Sequence, residues 1–444
     1  MDNSTPGIER LISNSHMSIA LSCLAAFVIF FFSAIQVQAD DLNLQQLIEE
    51  ALQNSPDLHA YGYRTSAAEY RIPQAKTLPD PMVTFGYQNE GFTKFTYGNP
   101  NNPNTQGVVA LAQTFPFPGK LALKGEAASR ESESMGADFD ALRLKIVAKV
   151  KEIYSDLYST YKNIDLLNER TNLFTQVEDA ALARYSTGKG SQQEVLMAQT
   201  EKYMLLEKET MLRQKVEALD AMMNTTVGRP ADAPLGRPAD LPQVDLIYSL
   251  NELIAMANEQ SPELKAQGKK IDAAEIKVAI AKKDYYPDFT ITGSYFPRGN
   301  NFADMWSLTT TINLPIFERT KQRQAVNETE ASLNEARSEK ESARLMIASG
   351  IRDNYAMIRA SDKLMQLYKD GLIPKGLQDV ELSLSGYRTG SNDALTVITR
   401  LKSIIDYEIS YWVQSSEREK AIARIEAATG LSGAAIKNRK GNQK

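Results

Sequence analysis

The sequence predicts a mainly α-helical fold with a small β part, in which one unit, a strand pair followed by long coiled-coil helices, occurs twice. Three observations support this prediction. The chain contains an internal repeat, four short segments alternate between apolar and polar residues, and two very long runs hold few helix-breaking residues. Repeated units of this kind cannot bury their apolar faces alone and pack against further copies.

The internal repeat aligns residues 44–58 with residues 250–264 without a gap. The match then recurs in the same order through a strand pair, a long helix, a turn and a return helix. We expect a proline-rich linker between the copies and a disordered basic tail after the second. The expected parts are a first copy at 40–228, a linker at 229–248, a second copy at 249–431 and a tail at 432–444.

Residues 1–39 are expected to form a secretory signal peptide. They contain an apolar run from residue 17 and end at Ala39 with small residues that suit signal-peptidase cleavage. A retained N-terminal anchor is the alternative, because the run is long and only Arg10 precedes it as a basic residue. Cys23, the only cysteine, lies inside this segment, so cleavage removes the only thiol.

Composition excludes several functions. The 50 basic and 55 acidic residues give a formal net charge of −5, which offers no basic field for nucleic acid. His59 is the only histidine after Ala39, so one mature chain cannot build a histidine-based metal cluster or a Ser-His-Asp triad. We find no catalytic constellation and expect no enzyme activity, no cofactor and no metal site.

Four segments alternate with period two, as β-strands with one apolar and one hydroxyl-rich face do. In the third, Phe289 and Ile291 alternate with Thr290 and Thr292. Such strands suit a barrel wall between lipid and water, although a half-buried sheet of a soluble domain has the same pattern. The strands are expected at 82–88, 108–115, 288–296 and 305–314.

Proline marks the expected strand–helix junctions, because it breaks the helical ladder and is tolerated only at strand ends. Near the strand ends, Tyr295 and Trp306 suit an interfacial aromatic belt at the lipid surface, and ordinary sheet packing explains them equally. The junction prolines are Pro81, Pro116, Pro118, Pro287 and Pro315.

A long helix is expected after each strand pair, at 120–185 and at 317–386, with return helices at 192–226 and 392–429. Apolar residues in the first run step by three and four, which indicates a coiled-coil seam. A four-stranded sheet has two unpaired edges that lipid cannot satisfy, so copies of the chain must close it. Eight strands leave no lumen, whereas the twelve or sixteen strands of three or four copies hold water.

The order of these parts, the stretch QTFPFPGK (113–120) and the paired turns ARYSTGKGSQQEVL (183–196) and SGYRTGSNDALTVI (385–398) resemble the TolC family of outer-membrane efflux proteins. The resemblance implies a homotrimer whose twelve-stranded barrel continues into a periplasmic α-helical barrel. It also implies the exit duct of a tripartite pump, with a periplasmic adaptor and an inner-membrane RND-type transporter as partners. LPDPMVTFGY (78–87) together with FPFPGK (115–120) is most similar to members that serve metal-cation pumps.

In that family the hairpin tips contact the adaptor and close the duct. The matching residues here are Arg184, Tyr185, Gly188, Tyr387, Arg388 and Gly390. The two glycines can take the positive φ that a helix–helix turn demands, so a well-formed turn is the plain alternative.

Two acidic residues after these turns are gate candidates. Glu194 matches the family's acidic position, whereas Thr396 stands there in the second copy and Asp393 lies one turn earlier. A ring of carboxylates would hold cations, and the alternative is a solvated helix N-terminus. We therefore expect a passive outer-membrane exit duct, with heavy-metal cations as cargo. A drug-efflux or type I secretion duct and a soluble periplasmic coiled-coil scaffold are the alternatives.

Overall fold

The computed structural model describes residues 42–91, 96–98, 100–102, 104–239, 241, 245–299 and 302–431. The expected signal peptide and the expected tail lie outside these residues. Within the described ranges, no helix combines the length and the apolar character that a membrane crossing needs.

Both copies have the same element order, two short helices, a strand pair and two long helical arms. The first copy consists of α1 (Leu44–Asn54), α2 (Pro56–Lys76), β1 (Met82–Gln88), β2 (Gln106–Phe115), α3 (Lys120–Ser186) and α4 (Gln192–Val227). The second consists of α5 (Leu250–Gln260), α6 (Pro262–Lys283), β3 (Asp288–Phe296), β4 (Met305–Asn313), α7 (Gln322–Leu367), α8 (Ile373–Thr389) and α9 (Ala394–Thr429).

The second long arm differs from the uninterrupted helix expected at 317–386. It begins only at Gln322, and a π-helical turn at Tyr368–Leu372 separates α7 from α8. Pro374 explains the interruption, because proline donates no backbone hydrogen bond and clashes with the carbonyl four residues earlier, Asp370. A π turn widens the helix locally and accommodates such a defect.

The four strands form one antiparallel sheet in the order β1-β2-β3-β4, so β1 and β4 are its edges. Phe115 pairs with Phe289, which pairs with Ile312, and this row belongs to an apolar face. The neighbouring row belongs to the opposite face, where the Thr114 and Thr290 hydroxyl oxygens lie 2.9 Å apart. The predicted apolar face thus crosses all four strands, interrupted by Gln113 and Thr310 on either side of Ile291.

The long helices pack side by side around α3, which contacts α2, α4, α6 and α9. The seam predicted for α3 lies inside this packing, since Val150, Leu157, Phe174 and Val177 are fully buried. Burying an aliphatic or phenyl side chain contributes about 1.5–3 kcal/mol, so the seam holds the arms together along their length.

Candidate functional site

The two long arms end in tight turns at the end of the molecule remote from the sheet, roughly 100 Å away at the helical rise of 1.5 Å per residue. The first turn joins α3 to α4 and contains Gly188 with φ of 71°. The second joins α8 to α9 and contains Gly390 with φ of 86°. Both glycines take the left-handed conformation, as the sequence predicted for turns of this length.

Each return helix begins with a side-chain cap. Ser191 accepts a hydrogen bond from the backbone N–H of Glu194 at the start of α4, at 3.4 Å. Asp393 does the same for the N–H of Thr396 at the start of α9, at 2.8 Å. These caps satisfy N–H groups that have no partner within their helix. The local sequence therefore ends one helix and starts the next at both turns.

The two turns lie against each other through Arg184, Tyr387 and Glu194, which we call the tip cluster. The Tyr387 hydroxyl donates to Glu194 Oε2 at 2.7 Å. Arg184 Nη1 donates to the Tyr387 carbonyl oxygen at 3.0 Å, and its guanidinium carbon lies 4.9 Å from the centre of the Tyr387 ring. Arg184 Nε and Glu194 Oε2 are 4.0 Å apart. The first turn thus supplies both charges and the second supplies the tyrosine.

Burial keeps the Tyr387 hydroxyl in its neutral, protonated form. Tyr387 is fully buried, and the side chains of Arg184 and Glu194 are 21% and 22% exposed. Burial, together with the bond to the Glu194 carboxylate, raises the pKa of Tyr387 well above its ordinary value. The hydroxyl therefore stays a donor at physiological pH. A hydrogen bond to a charged group contributes about 1.5–3 kcal/mol, and this one is shielded from water.

The other predicted tip residues lie outside this cluster. Tyr185 is 47% exposed, and the space around Gly188 is open. Arg388 donates from Nη2 to Gln176 Oε1 on α3 at 3.1 Å. Asp393 is exposed, and its bonds from the hydroxyl and backbone N–H of Thr396 lower the pKa of its carboxyl. The structure thus places Asp393 as a helix cap, the plain alternative for this residue.

The sheet carries the second candidate functional surface. Its apolar residues are solvent-exposed in the described chain, and no helix of that part covers them. Tyr295 pairs with Trp306 in this face near the β3–β4 loop, and the Tyr295 hydroxyl donates to Asp304. The exposed residues of the face include Val83, Phe85, Val109, Leu111, Ile291, Tyr295, Trp306, Leu308 and Ile312. A contiguous exposed apolar patch marks a surface that contacts lipid or protein.

The predicted junction prolines lie just outside the strands, between sheet and helices. Pro116 and Pro118 flank Phe117, whose ring stacks on Tyr286 with 4.5 Å between ring centres. Pro81 and Pro287 immediately precede β1 and β3, and Pro315 follows β4 by two residues.

Metal-ligating residues do not gather in the described ranges, which hold no group of three or more histidine, cysteine, aspartate or glutamate side chains suited to an ion. The carboxylates of the tip cluster and cap are bonded to protein groups instead, as given above.

A sheet with an exposed apolar face, continued by long helical arms that end in paired turns, defines the class of outer-membrane channels with a helical extension. The chain belongs to the family described as outer membrane efflux protein, whose model matches residues 47–225 and 253–430. The two matches fall in the two copies of the repeat. The predicted family, fold class and outer-membrane location are therefore confirmed.

Individual relatives agree with this assignment. The chain is 23% identical over 416 residues to outer membrane protein OprJ of Pseudomonas aeruginosa, covering 88% of this chain and 84% of that protein. It is 22% identical over 401 residues to the cobalt-zinc-cadmium resistance protein CzcC of Cupriavidus metallidurans, covering 88% and 91%. The crystal structure of the outer membrane protein VceC from Vibrio cholerae shares the fold, with a TM-score of 0.73, 20% identity and coverage of 87% and 96%.

The sequence points to all three residues of the tip cluster but not to their contact. From the sequence alone, Glu194 is a candidate for a ring of carboxylates or for a solvated helix N-terminus. In the described chain its side chain accepts a hydrogen bond from Tyr387 and faces Arg184. No sequence pattern marks Gln176, the acceptor for Arg388. Only one signal was available: Thr396 replaces the glutamate in the second copy, so the two turns differ in charge.

Proposed function

We propose that this chain forms the exit duct of a tripartite efflux system as a homotrimer. In that system a periplasmic adaptor and an inner-membrane RND-type transporter deliver the substrate. The exposed apolar face and the two free sheet edges support this proposal, because lipid tolerates only a closed sheet. Three copies give twelve strands, a barrel wide enough to hold water rather than side chains. The hydroxyl-rich face would then line the lumen.

The gate of this duct, in our proposal, is the tip cluster. Opening separates the α3–α4 turn from the α8–α9 turn and breaks the bond between Tyr387 and Glu194. The single observation that carries this proposal is the complete burial of Tyr387 between the two charges of the other turn. In that role Glu194 acts as a tie between the turns. Asp393 caps α9 and does not bind cations.

The adaptor, in the same proposal, contacts the exposed side of the turns. Tyr185, Gly188 and Arg388 offer an aromatic ring, an open backbone and a cation there. Beneath them, Tyr387 accepts a hydrogen bond from Arg184, and a Cβ added at Gly390 would lie 3.3 Å from Arg184 Nη1. Adaptor binding at the outer residues would therefore act on the buried tie through a single turn of backbone.

Single-channel recording in planar bilayers tests the gate. Tyr387→Phe and Glu194→Gln each remove one part of the tie, and we expect the open fraction to rise at least about tenfold, since each loses about 1.5–3 kcal/mol. Tyr185→Phe is the matched control for the ring and Asp393→Asn for the carboxylate. An open fraction that stays at the wild-type value in both tie variants would exclude this gate.

The similarity to one relative supports a proposal for the substrate class. The chain covers 91% of the protein named for cobalt-zinc-cadmium resistance, and we propose heavy-metal cations as its cargo. A growth-inhibition panel on a deletion strain tests this, with copper, silver, zinc, cadmium and cobalt against dyes, detergents and antibiotics. Sensitivity confined to metals supports the proposal. Sensitivity to the organic compounds would instead indicate a general drug-efflux duct.

A further inference from the structure

At the boundary between sheet and helices, the exit from β2 and the entry to β3 form a contact that we call the internal seam. Lys120, only 5% exposed, places its Nζ 3.0 Å from Asp284 Oδ1 and 2.9 Å from Asp288 Oδ1. Asp288 Oδ1 also accepts the backbone N–H of Phe117 at 2.7 Å, and the Phe117 ring stacks on Tyr286. One buried cation, two carboxylates and one apolar stack thus join the two copies of the repeat.

Because the chain is a repeat, it contains a second exit and a second entry, and these do not meet. The free exit follows β4 at residues 314–321, where Pro315 corresponds to Pro116. The free entry precedes β1 at residues 77–81, where Pro81 corresponds to Pro287 and Asp80 lies two residues before the strand. They lie at opposite edges of the sheet, β4 and β1. Only another copy of the chain can bring such an exit onto such an entry.

The free exit and the free entry are complementary in their apolar surface. Ile316 and Phe317 of the exit are 74% and 66% exposed. Leu78 of the entry is also exposed, and it lines an open groove of about 490 Å³ with both apolar and polar neighbours. The lining includes Pro79, Asp80, Gln74 of α2, and Leu121 and Lys124 of α3. The exposed apolar turn and the groove lie at the same end of the sheet, so a second copy can bring them together.

They are complementary in charge as well. Asp80 in the entry, and Arg319 and Lys321 in the exit, are exposed and form no hydrogen bond or ion pair through their side chains within the described residues. Arg319 is the fourth residue after its proline, as Lys120 is after Pro116. The longer second exit adds Lys321 directly before α7. Two cations thus stand where the internal seam has one.

We propose that the exit turn of one copy, residues 314–321, docks on the entry turn of the next copy, residues 77–81. Ile316 and Phe317 pack on Leu78, and Arg319 and Lys321 pair with Asp80. This inference rests on the proposed function, since it describes how the duct closes. The contact is head-to-tail and generates a ring when the rotation closes. It also aligns β4 with β1 antiparallel, which continues the alternation of the sheet.

This intermolecular seam is a weaker version of the internal one. Residues 77–81 contain one carboxylate, Asp80, whereas the internal seam has two, Asp284 and Asp288. One carboxylate therefore serves two cations, and more of the contact is apolar. The seam between copies would accordingly open before the seam within a copy.

A charge swap tests the inference on the full chain extracted in mild detergent. We expect Asp80→Arg, or Arg319→Asp with Lys321→Asp, to lower the fraction of intact oligomer on partial heating by about fivefold, because attraction becomes repulsion. Combining all three changes should restore it. Arg344→Asp, on the exposed face of α7 and paired only with Glu341 in the described chain, is the matched control and should leave the fraction unchanged.

A cysteine pair gives a second measurement that does not depend on charge. With Cys23 replaced by serine, Leu78→Cys and Ile316→Cys should form disulfide-linked multimers on oxidation, whereas Leu78→Cys with Leu345→Cys should not. An intact oligomer without cross-linking and without charge rescue overturns the seam but leaves the duct. A monomer in the native membrane overturns both the seam and the proposed function.

Discussion

Two tyrosines at equivalent positions in the two turns have opposite environments. Tyr185 and Tyr387 each precede a left-handed glycine by three residues, yet Tyr185 is 47% exposed and Tyr387 is fully buried. The local backbone is the same, so the turn itself does not explain the difference. The two copies of the repeat have diverged into complementary halves, one that provides charges and one that provides the buried ring.

The residues beside the tyrosines explain the divergence. Arg184 and Glu194 surround Tyr387, but the corresponding positions of the second copy are Gly386 and Thr396. No charged pair therefore exists to enclose Tyr185. A side chain at Gly386 would also require the Asn392 side chain to move, because a Cβ there would lie 2.6 Å from Asn392 Nδ2. The asymmetry is thus built into the packing of the second turn.

Arg184→Ala is expected to have the largest effect on this asymmetry. It removes hydrogen bonds to the carbonyls of Tyr387 and Lys189, the cation over the ring and the charge beside Glu194. We expect local opening of the two turns to become easier by about 3 kcal/mol, since partners are left unpaired. Hydrogen exchange at the end of α8 and the start of α4 measures it. Arg388→Ala, which loses one exposed bond to Gln176, should change exchange little, and an equal effect would contradict the cluster.

Replacing a turn glycine with alanine should have an intermediate effect, and this effect should differ between the two turns. At either position, an alanine in the left-handed conformation costs about 1–2 kcal/mol. At Gly188 nothing lies within 4 Å of the added methyl group, whereas at Gly390 it meets Arg184 Nη1 at 3.3 Å. Only Gly390→Ala should therefore raise the open fraction in bilayer recordings as well as destabilise its turn. Equal open fractions in both variants would show that Gly390 does not reach the cluster.

Lowering the pH is expected to have the smallest effect on the two turns. Hydrogen bonds from Thr396 lower the pKa of Asp393 below the ordinary 3.8, so the charged cap stabilises the start of α9 above that pH. This contribution is lost as the pH falls from 3.8 through the lowered pKa. Ser191, the cap of α4, does not titrate there. Amide exchange of Thr396 should accelerate in this window relative to Glu194, and Asp393→Ser should abolish the difference. Persistence of the difference in that variant would assign it to another group.

Much of the fold was predictable because its signals are local. Alternation over seven to ten residues specified each strand, and steps of three and four specified the α3 seam. The π turn was missed although Pro374 is visible in the sequence, because one proline does not say whether a helix stops, kinks or widens. Residues 317–321 were assigned to helix, but they form a turn before α7, since no glycine marks the helix start there.

The sequence by itself determined the duplicated order of elements, the two faces of the sheet and the glycines of the turns. Each of these depends on neighbours within a few residues, or on a repeat that can be aligned by eye. The tertiary structure alone decided which tyrosine is buried and which carboxylates hold Lys120. These contacts join side chains more than 150 residues apart, as the bond from Tyr387 to Glu194 does with 193. Their geometry exists only once the long arms have packed.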